Sequence, residues 1–392
     1  MRAFLTALAA VVLVVAGPAS SGERAVADDR PFSGPVGGDR LGTGPDIVMA
    51  GDVPPPPNVP AASWLVADLD TGDVLAAKAP HAKFRPASTL KTLTALVLLP
   101  RLKPNAIVIG QDEDAGIEGS KVGVYPGLKY SVDLLFLGLF LNSGNDAVHA
   151  LARSDDGGVA ATVRRMNAMA EQLGAYDTHV VDPTGLDSDG QYSSAYDLAL
   201  FSRAGLQRSD FRRYATTKLA YFPATNGGKY QISNQNHLLW TYPGALGVKT
   251  GYTTLARNTF VGAAQRDGHR LVVTLMNAPH GITGDAAALL DWGFQNRAGL
   301  HPVGTLIKPS GGIQIPSTAR QSGNDAAPAA HPPDRALAAR DTVQIAQDAI
   351  AGLPPWLFAV PPLLFLLLLM RSKAKAHRAR VRARAHSGRH RR

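Results

Sequence analysis

The sequence contains no cysteine. That excludes a disulfide scaffold, a Cys-ligated zinc or iron–sulfur centre and a thiol nucleophile, and leaves an exported protein open. A His-Glu-x-x-His motif and any internal repeat at solenoid period are also missing, so neither a zincin-type metal site nor a stacked-repeat architecture is expected. Charge of either sign is modest, at 18% of the 392 residues, and its imbalance is local. Residues 371–392 hold ten Lys or Arg and no acid, which leaves 30 basic against 31 acidic side chains elsewhere; the net charge of +9 belongs to a tail. No field of the kind that binds nucleic acid is spread over the body, and no nucleic-acid partner is expected.

Both ends read as targeting segments. Met1-Arg2 precedes an apolar run from Ala3 to Ala16 and then Ala25-Val26-Ala27, the pattern of a secretory signal peptide over 1–27 with its cut after Ala27. From 349 to 370 the chain is uncharged and Leu-rich. Roughly twenty apolar residues suffice to cross a bilayer, so this segment reads as a membrane span, irregular at Pro354-Pro355 and Pro361-Pro362. The basic tail 371–392 directly behind it belongs in the cytoplasm by the positive-inside rule, which puts the body outside. Residues 28–60, with Pro54-Pro55-Pro56-Pro57, and residues 307–348, rich in Pro, Ala, Ser and Gly, read as linkers, the second disordered, and neither is expected to pack. One catalytic-size domain remains over 61–306.

Within it, Trp64-Leu65-Val66-Ala67, a turn at Asp70-Thr71-Gly72-Asp73 and Val74-Leu75-Ala76 predict a hairpin. Helical patterns run from Thr89 to Leu99, from a Ser131 cap through Val132 to Leu141, from Ala160 to Leu173 and from Ser194 to Gly205. A strand over Arg270–Leu275 and a helix over Ala286–Phe294 close the body. Strands at both ends with helices between predict an α+β domain with a helical insertion.

Three short motifs stand in an informative order: Ser88-Thr89-Leu90-Lys91, Ser143-Gly144-Asn145 and Lys249-Thr250-Gly251. Each alone is weak. Together they match the Ser-x-x-Lys, Ser-x-Asn and Lys-Thr-Gly set of penicillin-binding proteins and class A β-lactamases. On a helix, residues three apart share a face, so Lys91 comes within reach of the Ser88 hydroxyl. A serine is a poor nucleophile until a base takes its proton, and a lysine serves only when neutral, through burial or a cationic neighbour such as Lys249. The Ser88 backbone N–H is one candidate oxyanion donor and that of Tyr252 the second. In an extended loop Ser143 and Asn145, at alternate positions, would enter one cleft, Ser143 relaying a proton to the leaving amine and Asn145 holding the substrate amide. Lys249-Thr250-Gly251-Tyr252-Thr253 reads as a strand along which substrate lies, with Gly251 admitting its backbone.

The chain resembles the D-alanyl-D-alanine carboxypeptidases, the low-molecular-mass penicillin-binding proteins of serine peptidase family S11, across about 61–304. The stretches that carry this are Arg85-Pro86-Ala87-Ser88-Thr89-Leu90-Lys91, Leu141 to Ala147, Met166-Asn167 through Leu173-Gly174, Asp182-Pro183-Thr184-Gly185-Leu186-Asp187, and above all Asn234-Gln235-Asn236-His237-Leu238-Leu239 running into Gly247 to Thr253. The resemblance implies a β-lactamase/transpeptidase-like fold, a central antiparallel sheet flanked by helices with a helical subdomain. It implies that Ser88 attacks the bond between the terminal D-alanines of a peptidoglycan stem peptide, that β-lactams acylate Ser88, and that no metal or organic cofactor takes part. Members often carry a β-rich domain after the catalytic one, and some place an Arg near the substrate carboxylate after the last strands; here a linker follows, and Met276-Asn277-Ala278-Pro279-His280-Gly281 offers no clear equivalent, leaving Thr250 and Thr253 for that task.

Rival readings use the same residues. A β-lactamase needs a Glu that activates water, and no Glu-x-x-Leu-Asn lies between Asn145 and Lys249. A DD-endopeptidase acting on cross-links and a tethered, non-catalytic β-lactam or cell-wall sensor stay open. His149, His179, His237 and His269 lack ligand spacing and read as surface or core histidines, Trp64 and Trp240 as packing residues, and Asp146 as the organiser of its loop.

Overall fold

The computed structural model describes residues 34–42 and 44–309. The expected signal peptide, the span over 349–370, the basic tail and all but the first residues of the 307–348 linker lie outside the described residues. Among the described residues no helix is long and apolar enough to cross a membrane.

In chain order the elements begin with β1 (Ile47–Met49), β2 (Ser63–Asp68) and β3 (Asp73–Lys78). A 3-10 turn over Ala87–Leu90 runs into α1 (Lys91–Leu98), followed by β4 (Ile107–Ile109), α2 (Asp112–Gly116) and β5 (Lys129–Ser131). Then come α3 (Val132–Leu141), α4 (Asn145–Ser154), α5 (Gly158–Gln172), α6 (Ala195–Gln207) and α7 (Ser209–Thr216). The last part holds β6 (Leu219–Pro223), β7 (Lys229–Ser233), α8 (Leu238–Thr241), β8 (Ala245–Thr253), β9 (Arg257–Arg266), β10 (His269–Ala278), α9 (Ile282–Asn296) and β11 (Gly304–Thr305).

The predicted hairpin is β2 and β3. Asp68 makes its turn, Oδ1 accepting the backbone N–H of Asp70 at 2.8 Å and of Thr71 at 3.0 Å, and Gly72 closes it at a φ of +90° that an L side chain rarely adopts. These strands join a seven-stranded sheet of order β1-β3-β2-β10-β9-β8, with β11 also paired to β3, and every pairing is antiparallel. β2 is buried along its whole length. Alternation then sends Leu65, Ala67, Val261 and Val272 into one core with Leu93 of α1, Leu135 of α3 and Leu198 of α6, and Trp64, Val66, Phe260 and Val273 into another with Leu289 and Leu290 of α9. Each such side chain contributes roughly 1.5–3 kcal/mol by leaving water, and covering both faces is what fixes this layer order.

The helices start where the sequence places their caps. Ser131 Oγ accepts from the Leu134 N–H at 3.1 Å at the head of α3, and Ser194 Oγ from the Asp197 N–H at 3.2 Å at the head of α6. α3, apolar on nearly every face, is largely buried and lies against α4 and α7.

Two expectations fail. The 28–60 segment, read as unpacked, is folded from residue 34 wherever it is described: Val36 and Leu41 are buried, β1 pairs with β3, and the Trp292 indole N–H donates to the Pro54 carbonyl at 2.8 Å. Proline has no N–H to leave unsatisfied while its carbonyl still accepts, so such a run packs without the periodicity that betrays a strand or helix. Trp64 is buried as expected, but Trp240 is 45% exposed. At the far end Leu306 is buried and the Thr305 N–H donates to the Gly37 carbonyl at 2.8 Å, so the two ends of the described body are stitched together at the β3 edge.

Candidate active site

Ser88 stands on the 3-10 turn rather than inside α1. Thr89 Oγ1 and Thr259 Oγ1 both donate to the Pro86 carbonyl, at 2.5 and 2.8 Å, and tie this turn to β9. The Lys91 side chain is wholly buried, with Nζ 2.7 Å from Ser88 Oγ, 2.7 Å from Asn145 Oδ1 and 2.6 Å from the Thr184 carbonyl. Asn145 Nδ2 donates to the Glu118 carbonyl at 2.7 Å, which fixes the amide so that Oδ1 faces the lysine.

This geometry bears on the protonation state. Burial, then the charge of Lys249, hold the Lys91 amine well below its ordinary pKa, against the smaller opposing pull of Asp182 and Asp146. A neutral amine has two N–H bonds and one lone pair. In its neutral form the amine gives its two N–H groups to Asn145 Oδ1 and the Thr184 carbonyl, which are acceptors only, and turns its lone pair to the Ser88 hydroxyl, to which the charged amine instead donates. Lys249 is buried as well, its Nζ donating to the Thr250 carbonyl at 2.8 Å, and burial lowers its pKa to about 7.

Ser143 and Asn145 do not lie on an extended loop. Ser143 is in the left-handed region at a φ of +57° and Asn145 is the first residue of α4, so the expected strand-like alternation is replaced by a turn into a helix. Asn145 reaches Lys91, whereas Ser143 Oγ is buried and has no hydrogen-bond partner among the described residues. Such a hydroxyl keeps its full capacity to accept and donate. Asp146 organises the neighbouring loop as expected, its carboxylate accepting the backbone N–H groups of Val122, Gly123 and Val124 at 2.7–3.1 Å.

The expected strand over Lys249–Thr253 is β8, an edge of the sheet. Gly251 has a different reason from the one expected. A Cβ there would overlap Thr259 Oγ1 and stand 2.8 Å from the Ser88 nitrogen and 3.0 Å from that of Thr89, so the missing side chain lets β8 lie against the nucleophile's own turn. Thr253 Oγ1 donates to Asp187 Oδ1 at 2.9 Å and accepts from the Ala256 N–H at 2.9 Å, so its hydroxyl proton is already engaged, whereas among the described residues no such bond occupies the Thr250 side chain. Tyr252 stands 66% exposed at the lip.

Ser88, Asn145, Tyr252 and Thr253 open onto one cavity of about 490 Å³, walled by Glu118 to Ser120 on one side and by Asp182 and Gly185 to Ser188 on the other. The second wall was not foreseen as part of the site. Thr184 serves through its backbone carbonyl, which every residue has, and its side chain donates to Asp182, which also accepts the Thr184 N–H at 2.8 Å. Gly185, at a φ of +84°, sits where a Cβ would overlap the Ala87 carbonyl oxygen. The Asp-Pro-Thr-Gly run was the available signal, a turn sequence demanding close approach.

The histidines fall outside the site. His149 Nδ1 lies 2.7 Å from Asp114 Oδ1 and His179 Nδ1 2.9 Å from the Gly190 carbonyl. Among the described residues no group of three or more His, Cys, Asp or Glu is placed to hold a metal ion.

An antiparallel sheet with a serine–lysine pair at its β8 edge and a helical layer behind it is the α+β penicillin-binding and transpeptidase type of fold. Solved structures agree. A D-alanyl-D-alanine carboxypeptidase from Mycobacterium tuberculosis superposes with a TM-score of 0.63 at 44% identity, over 66% of this chain and 100% of that one. A Streptomyces DD-transpeptidase mutant does so with a TM-score of 0.58 at 29% identity, over 61% and 99%. The D-alanyl-D-alanine carboxypeptidase family, peptidase S11, matches residues 50–280, and the chain belongs to that family of serine-type carboxypeptidases. Among named relatives, DacB2 of Mycobacterium tuberculosis is 45% identical over 259 residues, 64% of this chain and 87% of that protein. DacF of Bacillus subtilis is 31% identical over 250 residues, and there the match spans 64% of the relative's length.

Proposed function

We propose that the protein removes the terminal D-alanine from peptidoglycan stem pentapeptides through an acyl-enzyme on Ser88. The observation behind this reading is the Lys91 amine, buried, with both its N–H directions taken by Asn145 and Thr184 and its third direction facing Ser88 Oγ at 2.7 Å. Ser88 passes its proton to Lys91 and its oxygen attacks the carbonyl carbon between the two D-alanines. The oxyanion that forms accepts from the backbone N–H groups of Ser88 and Tyr252. Ser143, with its unpartnered hydroxyl, relays the proton from Lys91 to the leaving nitrogen, the C–N bond breaks and D-alanine departs. Water, losing its proton to Lys91, then attacks the ester carbon, and Ser88 Oγ leaves and is reprotonated.

The substrate lies along the free edge of β8, its carboxylate toward Lys249 and Thr250 and its amide on Asn145, with Gly251, Tyr252 and Thr253 forming the strand it follows. β-Lactams, which present an acyl-D-Ala-D-Ala-like amide, acylate the same serine. In this reading 1–27 directs export, 349–370 anchors the chain in the cytoplasmic membrane with the tail 371–392 inside, and the catalytic domain works outside.

The test is D-alanine release from a synthetic pentapeptide ending in D-Ala-D-Ala, by the full chain and by its Ser88→Ala variant. Release abolished in the variant supports the reading. A folded wild-type protein that releases none overturns it. External protease on intact cells should cut the body and spare an epitope on the tail; the reverse pattern would invert the topology.

A further inference from the structure

Among the described residues Trp240 is the largest exposed side chain that the chemistry at Ser88 does not use. It stands on α8, a four-residue turn whose Leu238 and Leu239 point into the protein while Trp240 stays 45% exposed. A single exposed apolar residue is ordinary. This one is held in place: its indole N–H donates to the Asn234 carbonyl at 3.2 Å, and the N–H of the same Asn234 donates to the Lys218 carbonyl at 2.8 Å. Asn234 is itself buried, with Nδ2 donating to the Thr217 carbonyl at 3.0 Å. Lys218, exposed and outside any ion pair among the described residues, holds its ammonium over one face of the Trp240 ring, 5.3 Å from its centre. Trp240 and Lys218 thus share one mount and line a cavity of about 370 Å³ that continues to Tyr242 and Ala245, the first residue of β8.

The lining selects among ligand classes. An apolar peptide or lipid tail needs a mostly apolar wall, and polar atoms predominate here. Amines are disfavoured, because the charged side chain at the cavity is a lysine and no acid lines it. A rigid indole beside hydroxyls, backbone carbonyls and one ammonium matches a ring with a flat C–H face, hydroxyl groups and an amide carbonyl. We propose that this cavity binds an N-acetylated sugar of a glycan strand, stacked on Trp240 as the exposed Lys218 side chain swings off the ring, with the acetamido oxygen accepting from the displaced ammonium. The proposal deepens the cell-wall reading of the cleft and takes from it the choice of polymer. Ala245 and Gly251 are six residues apart on one strand, roughly 20 Å. A five-residue stem extends at most roughly 18 Å, so a strand held at the cavity keeps its stems, or those cross-linked to it, near the serine.

The experiment uses the full chain carrying Ser88→Ala, which cannot turn over, titrated with a tetramer of N-acetylglucosamine and with cellotetraose, followed by calorimetry and indole fluorescence. Saturable binding of the acetylated tetramer is expected, weakened at least about tenfold by Trp240→Ala. Lys218→Ala, a surface change that leaves the indole in place, should weaken the acetylated sugar and spare cellotetraose. Absence of saturable binding at millimolar sugar overturns the proposal, as does binding that both variants leave intact. With Ser88 restored, Trp240→Ala should release D-alanine from free pentapeptide at the wild-type rate and more slowly from insoluble peptidoglycan. Failure of the wild type on free pentapeptide would count against the carboxypeptidase reading alone, because the sugar titration needs no turnover.

Discussion

Lys91 sits where a lysine is least comfortable, and the consequences are measurable. Replacing it with alanine should leave a folded protein, by circular dichroism, whose acylation by a fluorescent penicillin is slower by about 10²–10⁴-fold, the range a general base contributes. Normal acylation in that variant would remove Lys91 from its role. Lys249 affords a separate test through pH. Its pKa is about 7 in the folded protein and near 10.5 when exposed, so between those values the unfolded chain binds more protons and stability rises with pH. Lys249→Met should therefore be more stable than wild type at pH 7 by urea titration, with the difference shrinking as pH approaches 10.5, while activity falls at every pH. A difference that stays constant across that window would mean the lysine is charged in the fold. At this scale the sequence displays its side-chain chemistry openly, in Ser88, Lys91, Asn145 and Lys249. The Thr184 carbonyl was hidden because a backbone acceptor has no letter, and Ser143's orphan hydroxyl because isolation depends on what fails to come near.

Two close approaches between elements govern the cleft. β8 presses on the turn that carries Ser88 through the bare Cα of Gly251, so Gly251→Ala should hold strand and nucleophile apart, slow penicillin acylation by about 10²-fold and leave the fold intact. Acylation at the wild-type rate, by stopped-flow, would show that this contact is slack. The loop of Val122 to Val124 depends on the Asp146 carboxylate, and Asp146→Ala should cost about 3 kcal/mol in urea unfolding, since three amides lose a charged acceptor. Most elements were legible because caps and periodicity agree with the fold, as at Ser131 and Ser194. The Ser143–Asn145 junction was not. Its sequence fits an extended loop equally well, and the helix begins at Asn145 because Asp146 binds the loop opposite and the Asn145 N–H finds the Ser120 carbonyl at 2.7 Å.

At the scale of the molecule, the misread segment is the one before residue 61. Proline and glycine suggested a leash, yet β1 pairs with Ala76, Ala77 and Lys78 of the β3 edge and β11 with Asp73 and Val74. An uncovered edge is both less stable and prone to pairing with other chains. A chain beginning at Ala61 should melt at least about 5 °C lower than one beginning at Asp28, by calorimetry, and should aggregate on heating. Equal melting points would make the cover ornamental.

The same stitch decides where tension goes. Thr305 bonds Gly37 directly, so a pull exerted between whatever is joined to residue 34 and whatever is joined to residue 309 passes through the β1–β3–β11 corner. β8 lies at the opposite edge, with β2, β10 and β9 between. A load on the ends would peel that corner first and leave Ser88, Lys91 and the free edge of β8 unstrained, so the chemistry is insulated from tension applied where the chain enters and leaves the body.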